Sequence, residues 1–423
     1  MIVWLLTIGE PSPVDVSAAD RRHRTGLMAQ ILIEYGCDIT WWTSTFDHFR
    51  KYHHYKYDEV IRLENDMKIV MLYGGGYKSN MSLSRIHDHR QIAEKFSIQA
   101  PNHTKPDIIL CSYPPIELSL AAVKFGNKYL VPVVLDMRDM WPDIFVDHVP
   151  RLLRPVAKLL AAKMYQDAAK ACAGAAAITG ITEAFVDWGL AKGKRRRSPC
   201  DKAFPMGYAA QPPTEKQIQE AESFWDSIGI NRNTKDFIIC FIGTTGRQFD
   251  LDAVISAVRK ANNSGRRIRF VLCGTGDRLE HFRKSAAGLS DILFPGWVDA
   301  AKIYVLMRRS AIGMDPLPDR YDFLSTINNK AIEYMSAGLP IISSPDQGVL
   351  CELIKRNECG ISYPAGDADV LVAALERLYD NRETLRVMSR NAMRLFQECF
   401  TAEKVYTEMV EHLMKIAQDY SQN

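Results

Sequence analysis

Three short stretches of the chain gather side chains that could do chemistry. The first, Leu135-Asp-Met-Arg-Asp-Met-Trp-Pro-Asp143, packs three carboxylates, a guanidinium and an indole into nine residues. Asp139 could hydrogen-bond a sugar or serve as a base, Arg138 could hold a carboxylate or phosphate, and Trp141 could stack or pack. An internal Asp–Arg ion pair that fixes the loop accounts for the same residues equally well. The second stretch, Phe323 to Ser344, reads as a polar loop, then a short helix from about Asn328 closed by Gly338, then Pro340 and a buried strand. Free N–H groups at a helix start form an anion site. Lys330 in the first turn places a positive charge where the helix dipole disfavours it, and a phosphate partner would explain it. Glu333 could accept both hydroxyls of a ribose; on spacing alone an ordinary surface lysine and helical glutamate are the better reading.

The third stretch, Gly243-Thr-Thr-Gly-Arg247, follows an apolar run. Its small residues let backbone approach a ligand, and the fork of Arg247 suits a phosphate. Asp250 and Asp252 form a loose D-x-D, but carboxylates at a helix start read first as caps. Gly274-Thr-Gly276 begins like a dinucleotide fingerprint, yet Leu279 stands where the third glycine belongs, and a tight strand-to-helix turn explains it equally well. His87, Asp88 and His89 raise the thought of a metal. Histidines at i, i+2 do not share a helix face, however, so a helical surface is the simpler expectation.

The elements that must position these residues alternate from end to end. Apolar strand-like runs cover Ile2–Ile8, Asp38–Thr43, Lys68–Leu72, Asp107–Cys111, Val131–Leu135 and Ala175–Thr179, then restart at Phe237–Gly243, Ile268–Cys273, Ile292–Pro295, Ala311–Met314 and Leu339–Ser343. Helical periodicity fills the gaps, for example Thr25–Glu34, Leu83–Phe96, Glu117–Phe125 and Leu251–Ala261. This is the α/β pattern of two doubly wound, Rossmann-like units. Such sheets bind ligands beyond the carboxyl ends of their strands, so two units facing each other would make a cleft. The expected division is residues 1–206, residues 207–395, and a terminal helix over residues 396–423 that crosses back toward the first domain.

Composition sets the outer bounds. At 423 residues, 47% apolar and 24% charged, the chain is globular and long enough for two cores. Its nine cysteines form no C-x-x-C, which fits reduced cytosol better than a disulfide framework or a zinc ribbon. No run reaches the roughly 18–20 apolar residues of a spanning helix, so a cytoplasmic protein, soluble or peripheral on the inner face of the plasma membrane, is expected. Basic charge concentrates in Arg151 to Lys202, with eleven Lys/Arg against four Asp/Glu. There Arg151, Arg154, Lys158 and Lys163 are threaded among leucines, and the run Lys192 to Arg197 follows. That pattern suits an anionic membrane surface; a solvated helix face is the plainer reading. Nucleic acid is not expected, because neither zinc-finger spacing nor an aromatic-basic RNA signature is present.

Taken together, the blocks resemble the retaining glycosyltransferases of family 4, which have the GT-B architecture. The likeness is greatest to the bacterial O-antigen and capsule branch that transfers N-acetylated amino sugars such as N-acetylfucosamine. The blocks that carry it are Arg24-Thr-Gly, Trp41 to His48, Tyr77 to Arg85, Asp136 to Trp141, Phe241 to Gly246, Leu272 to Asp277, Pro295 to Val298 and Asn329-Lys to Pro340. The resemblance implies a donor site of Gly243, Thr244, Thr245, Gly246, Gly274, Asn329 and Glu333, the last being the second Glu of the family's Glu-x7-Glu motif. It implies reaction roles for Asp139, Arg247 and Lys330, and acceptor-side roles for Arg24, Arg138 and Trp141. The first Glu of the motif would fall at Ser325, and the usual Lys beyond Arg247 is missing. The implied substrates are a nucleotide-diphosphate sugar, UDP-linked in the expected case, and a polyprenyl-diphosphate-linked glycan, with no metal or other cofactor required. A nucleotide-sugar epimerase or hydrolase, or an inactive GT-B partner subunit, remain the competing expectations.

Overall fold

The computed structural model describes residues 1–14, 22–63, 67–232 and 236–422. The chain divides into two compact units, Met1–Pro205 together with Ala402–Asn423, and Met206–Thr401.

The first unit is built on strands β1 (Ile2–Leu6), β2 (Asp38–Ser44), β3 (Glu59–Arg62), β4 (Met67–Leu72), β5 (Ile108–Tyr113), β6 (Val133–Met137), β7 (Ala177–Gly180) and β8 (Lys202–Ala203). Among the described residues they form one sheet in the order β3-β4-β2-β1-β5-β6-β7-β8. All neighbours run parallel except β3, which lies antiparallel on β4 at the edge. Glu59 and Arg62 keep that edge charged, which blunts it against further pairing. The chain leaves β1 in one direction and returns beside it with β5, so the carboxyl ends of β1 and β5 flank the point where strand order reverses. The final helix, Ala402–Ser421, lays Val405, Tyr406, Met409, Val410 and Leu413 into the same core as Leu5, Trp41, Ile69 and Leu110.

The second unit carries β9 (Phe237–Ile242), β10 (Ile268–Cys273), β11 (Ile292–Gly296), β12 (Ile312–Pro316), β13 (Ile341–Ser344) and β14 (Gly360–Ser362). Their order is β11-β10-β9-β12-β13-β14, all parallel, which puts the reversal between β9 and β12. β9, Phe-Ile-Ile-Cys-Phe-Ile, is buried at every position, as a central strand covered on both faces must be.

The expected α/β class with two doubly wound parallel sheets is therefore the observed one. The expected boundary at residue 396 falls inside a continuous helix, Arg382–Cys399, which belongs to the second unit. Its amphipathic repeat runs past Phe396 and buries Leu395 and Phe396 on the same face as Ala392, so the chain leaves that unit only after Thr401. Among the described residues no helix is long and apolar enough to cross a membrane.

Candidate functional site

At the β9/β12 reversal, two glycine turns nest against each other. Gly243 follows β9 with φ +151° and Gly274 follows β10 with φ +137°. A Cβ on Gly274 would lie 1.8 Å from the carbonyl oxygen of Gly243, so only glycine fits there. Gly276 presses on the Thr245 backbone in the same way, and the Thr245 N–H donates to the Thr275 carbonyl at 3.0 Å. Thr245 is buried with its hydroxyl unpartnered, whereas Thr244 and Arg247 face outward. Arg247 is 83% exposed, with Asp277 3.9 Å away.

The helix Asn329–Ser336 starts beside these turns. The Asn328 side chain caps it by accepting from the Ala331 N–H at 3.1 Å, and its amide NH2 donates to the Asp315 carboxylate at the end of β12. Tyr334, buried in the helix, accepts from the Ile242 N–H at 3.1 Å and donates to the Met314 carbonyl at 3.3 Å. One phenol thus ties the helix to the ends of both β9 and β12. The Lys330 side chain crosses Gly243, where a Cβ would meet its Cε at 2.4 Å, and its Nζ sits 3.9 Å from the centre of the Phe249 ring. Burial pushes the Lys330 pKa down, against the pull of Asp315 and Glu333. Burial pushes Asp315 up, opposed by Lys330 and Asn328. Glu333, half-buried, accepts from the Tyr208 hydroxyl at 3.0 Å. Gly243, Thr245, Gly246, Gly274, Asn329, Lys330 and Glu333 are therefore gathered around one strand-end surface.

Asp315 was not among the expected residues. It is fully buried, and its Oδ1 has no hydrogen-bond partner. It supplies Lys330 with a countercharge inside the protein, so the lysine's position does not by itself demand a phosphate. The sequence signal was an acidic residue at the carboxyl end of an apolar strand, Ile312-Gly-Met-Asp-Pro316. Asp250 caps its helix by accepting from the Ala253 N–H at 3.2 Å, and Asp252 accepts from Ser285 at 2.9 Å and bonds the His281 ring at 2.7 Å. The D-x-D pair is thus cap and surface bonding.

In the first unit, the Asp136 carboxylate is fully buried and accepts from Arg24 at 2.8 and 3.0 Å, Arg138 at 2.7 Å and Thr179 at 3.0 Å. Burial alone would raise this carboxyl, but Arg24 and Arg138 outweigh it and hold it well below the usual range. Arg24 also donates to the Pro205 carbonyl at 2.8 Å, and Arg138 to Glu10 and Thr25. Both arginines expected on the acceptor side therefore sit in an internal network, the ion-pair reading of the loop. Asp139 accepts from the Met140 N–H at 2.8 Å and from the Trp141 indole at 3.2 Å. Trp141 is buried, with the His89 ring stacked on it at 5.7 Å.

That stacking corrects the expectation of a helical surface at His87 to His89. Only His87 is exposed; Asp88 and His89 are buried and line a pocket with Gly9, Ser44, Tyr77 and Arg85 at the β1/β5 reversal. Burial lowers the His89 pKa to about 3, with Arg85 adding to the effect, and lowers His48 to about 4, with Arg85 and Lys51 adding. His48 Nδ1 lies 2.5 Å from the Tyr77 hydroxyl, whose pKa burial raises to about 12. Among the described residues no group of His, Cys, Asp or Glu is placed to hold a metal.

The basic segment divides in two. Lys192 pairs with Asp143 at 2.7 Å, Arg195 with Asp201 at 3.1 Å, and Arg197 with Glu183 and Asp187. Much of the run Lys192 to Arg197 is thus engaged in ion pairs. In contrast, Leu152, Leu159 and Leu160 are 93%, 76% and 82% exposed, and Leu153 and Val156 are exposed beside them.

Two doubly wound sheets, each with its polar residues at the strand-order reversal, define the class as a GT-B-fold protein. Residues 236–381 match the family model described as Glycosyl transferases group 1. Across 98% of both chains the fold is similar to that of sucrose-phosphate synthase from Thermosynechococcus elongatus, at 15% identity and a TM-score of 0.73. It is also similar to Anabaena HepE in complex with UDP, at 12% identity over 98% of this chain and 99% of that one, with a TM-score of 0.66. WaaG, a glycosyltransferase involved in lipopolysaccharide biosynthesis, matches at 13% identity over 98% of this chain and 99% of that one, with a TM-score of 0.64. No curated protein sequence matches the chain.

Proposed function

We propose that the chain is a retaining glycosyltransferase that moves a sugar, an N-acetylated amino sugar in the reading favoured here, from a UDP-linked donor to a hydroxyl of a lipid-linked glycan. The observation that carries the proposal is the pair of nested glycine turns beside a capped helix start at the β9/β12 reversal, with the Lys330 amine across Gly243. The match of residues 236–381 to group 1 glycosyl transferases, and UDP bound to a protein of the same fold, support it.

In this reading the diphosphate lies over the nested glycine turns, where Lys330 crosses Gly243. Lys330, the helix N–H groups from Asn329 onward and the outward Arg247 take up the charge that develops as the C1–O bond to phosphate breaks. Glu333, with one oxygen already receiving Tyr208, accepts from the ribose. The acceptor oxygen forms its bond to C1 on the face the diphosphate leaves and passes its proton to the departing phosphate oxygen, so positioning and preorganised charge supply the rate. Asp139, bonded to Met140 and Trp141, positions the loop under the acceptor pocket. Charge compensation comes from these side chains, and no metal enters the proposed step.

The lipid carrier places the protein on the cytoplasmic face of a membrane. The membrane contact is narrowed from Arg151–Lys202 to residues 151–160, where exposed leucines lie beside Arg151 and Lys158, a composition that suits an anionic interface. Sedimentation with phosphatidylglycerol vesicles should be lost in a Leu159→Asp, Leu160→Asp variant and kept in Arg195→Gln; unchanged sedimentation of the leucine variant counts against the contact.

The transfer itself is tested by screening UDP-sugars against a prenyl-diphosphate-linked sugar. UDP release that depends on acceptor, with a product retaining the donor's anomeric configuration, is expected. Epimer formation or release without acceptor would point to an epimerase or hydrolase, and failure of any nucleotide to bind would point to an inactive subunit.

A further inference from the structure

The pocket at the β1/β5 reversal holds hydrogen-bond donors that the protein leaves unmatched. His89 is buried, and burial keeps its imidazole neutral. Its Nε2 accepts from Arg85 Nε at 3.4 Å, which assigns the ring proton to Nδ1. That Nδ1 has no hydrogen-bond partner. A buried donor without an acceptor costs free energy, and a ligand oxygen would relieve it.

Arg85 stands beside it with the same need. Its guanidinium carbon lies 4.6 Å from the centre of the Trp141 ring and 5.5 Å from that of the Tyr77 ring. Its neutral acceptors include His89 and the Asn80 carbonyl at 3.0 Å, and among the described residues no carboxylate lies within salt-bridge distance of it. Asp139 and Asp88 act on its charge only from further away. Lys51, whose Nζ sits 4.6 Å from the Tyr77 ring centre, adds a second positive charge at the rim. Asp88, which lines the pocket too, is engaged by the Gly76 N–H at 2.9 Å, and burial favours its neutral form. A guanidinium whose near partners, His89, the Asn80 carbonyl and Tyr77, are all neutral, next to an unmatched imidazole N–H, is the donor set for an oxyanion.

We infer that Arg85 and His89 form an acceptor-side subsite for an oxyanion, either a phosphate of a prenyl diphosphate or the carboxylate of an acidic sugar. The inference rests on the transferase reading only for the word acceptor. Binding of an oxyanion follows from the pocket itself.

The test is calorimetry on the full chain, with UDP saturating the second unit. Farnesyl diphosphate is the probe for the lipid source and glucuronate the probe for the sugar source. One of the two should bind, and Arg85→Gln should weaken it about tenfold or more, the worth of a lost charge-assisted bond. Arg85→Lys should retain part of the affinity. His89→Phe, which keeps the ring on Trp141 but removes the N–H, should weaken it several-fold and carries the test if Arg85→Gln fails to fold. UDP affinity should stay unchanged in all three. The inference is overturned if neither probe binds at about 10 mM, the range of the weakest specific contacts, or if Arg85→Gln and His89→Phe bind as the wild type does. Loss of UDP binding in the wild type, with the probe still bound, would instead refute the transferase reading and leave the pocket standing.

Discussion

Replacing Lys330 by Met separates two jobs that one side chain performs. In the ligand-free protein its ammonium is the cation acting on the buried Asp315 carboxylate, whose other support is Asn328. Removing it leaves that carboxylate poorly compensated, a loss of about 1–3 kcal/mol on the scale of a buried polar group deprived of its partner. Lys330 makes no direct salt bridge to Asp315 among the described residues, which keeps the loss below the cost of breaking a contact ion pair. With UDP present, Lys330 should also contribute a charge-assisted bond worth about 1.5–3 kcal/mol, or roughly 10- to 150-fold in Kd. Lys330→Met should therefore lower both the urea midpoint and the UDP affinity. Adding Asp315→Asn removes the stranded charge, so the double variant should recover most of the stability and none of the affinity. If the double variant bound UDP like the wild type, Lys330 would act only through folding and the reasoning would fail.

Gly274→Ala should destabilise the second unit by more than about 3 kcal/mol, because its Cβ would meet the Gly243 carbonyl at 1.8 Å from a backbone with φ +137°; a melting temperature near wild type would contradict the nested turns. Glu333→Ala should weaken UDP much more than it weakens inorganic pyrophosphate, since its contact is to ribose, and equal weakening of both would remove that assignment. His48 and His89 titrate at about 4 and about 3, below the free value of 6.5, because burial disfavours the imidazolium. Between pH 6.5 and 4 the unfolded chain takes up protons there that the folded chain does not. Their contribution is complete above pH 6.5 and should fall by about 3–6 kcal/mol as pH drops toward 4, the lower end allowing for the partial exposure of His48. His89→Phe should flatten that fall in urea titrations at pH 7 and 4.5; an unchanged slope would exclude His89 as its source.

The strands were legible wherever burial on both faces made the run continuously apolar, as in Phe237–Ile242 and Ile268–Cys273. β3 leaves no strand signal because Glu59 and Arg62 make an edge strand look like a loop, and β14 leaves none because three residues give no period. The placement of the turn glycines, Lys330 and Glu333 at strand ends was legible because special backbone and charge there leave a local mark. Asp315 and the inward side of the helix Leu83–Gln99 were not. Whether Asp88 and His89 face water or Trp141 depends on a loop some fifty residues away, and no local pattern encodes that contact. The same non-locality hid the pairing of Lys192 with Asp143, which turned an apparent basic patch into a folded network.

The central claim is that the nested glycine turns and the start of the helix Asn329–Ser336 receive a pyrophosphate. A crystal structure of the chain with UDP tests it most directly. The diphosphate should lie within hydrogen-bonding distance of Lys330 Nζ and the N–H groups at the helix start, with the ribose hydroxyls on Glu333. Ordered UDP elsewhere in the molecule, or a diphosphate pointing away from Lys330, would contradict it.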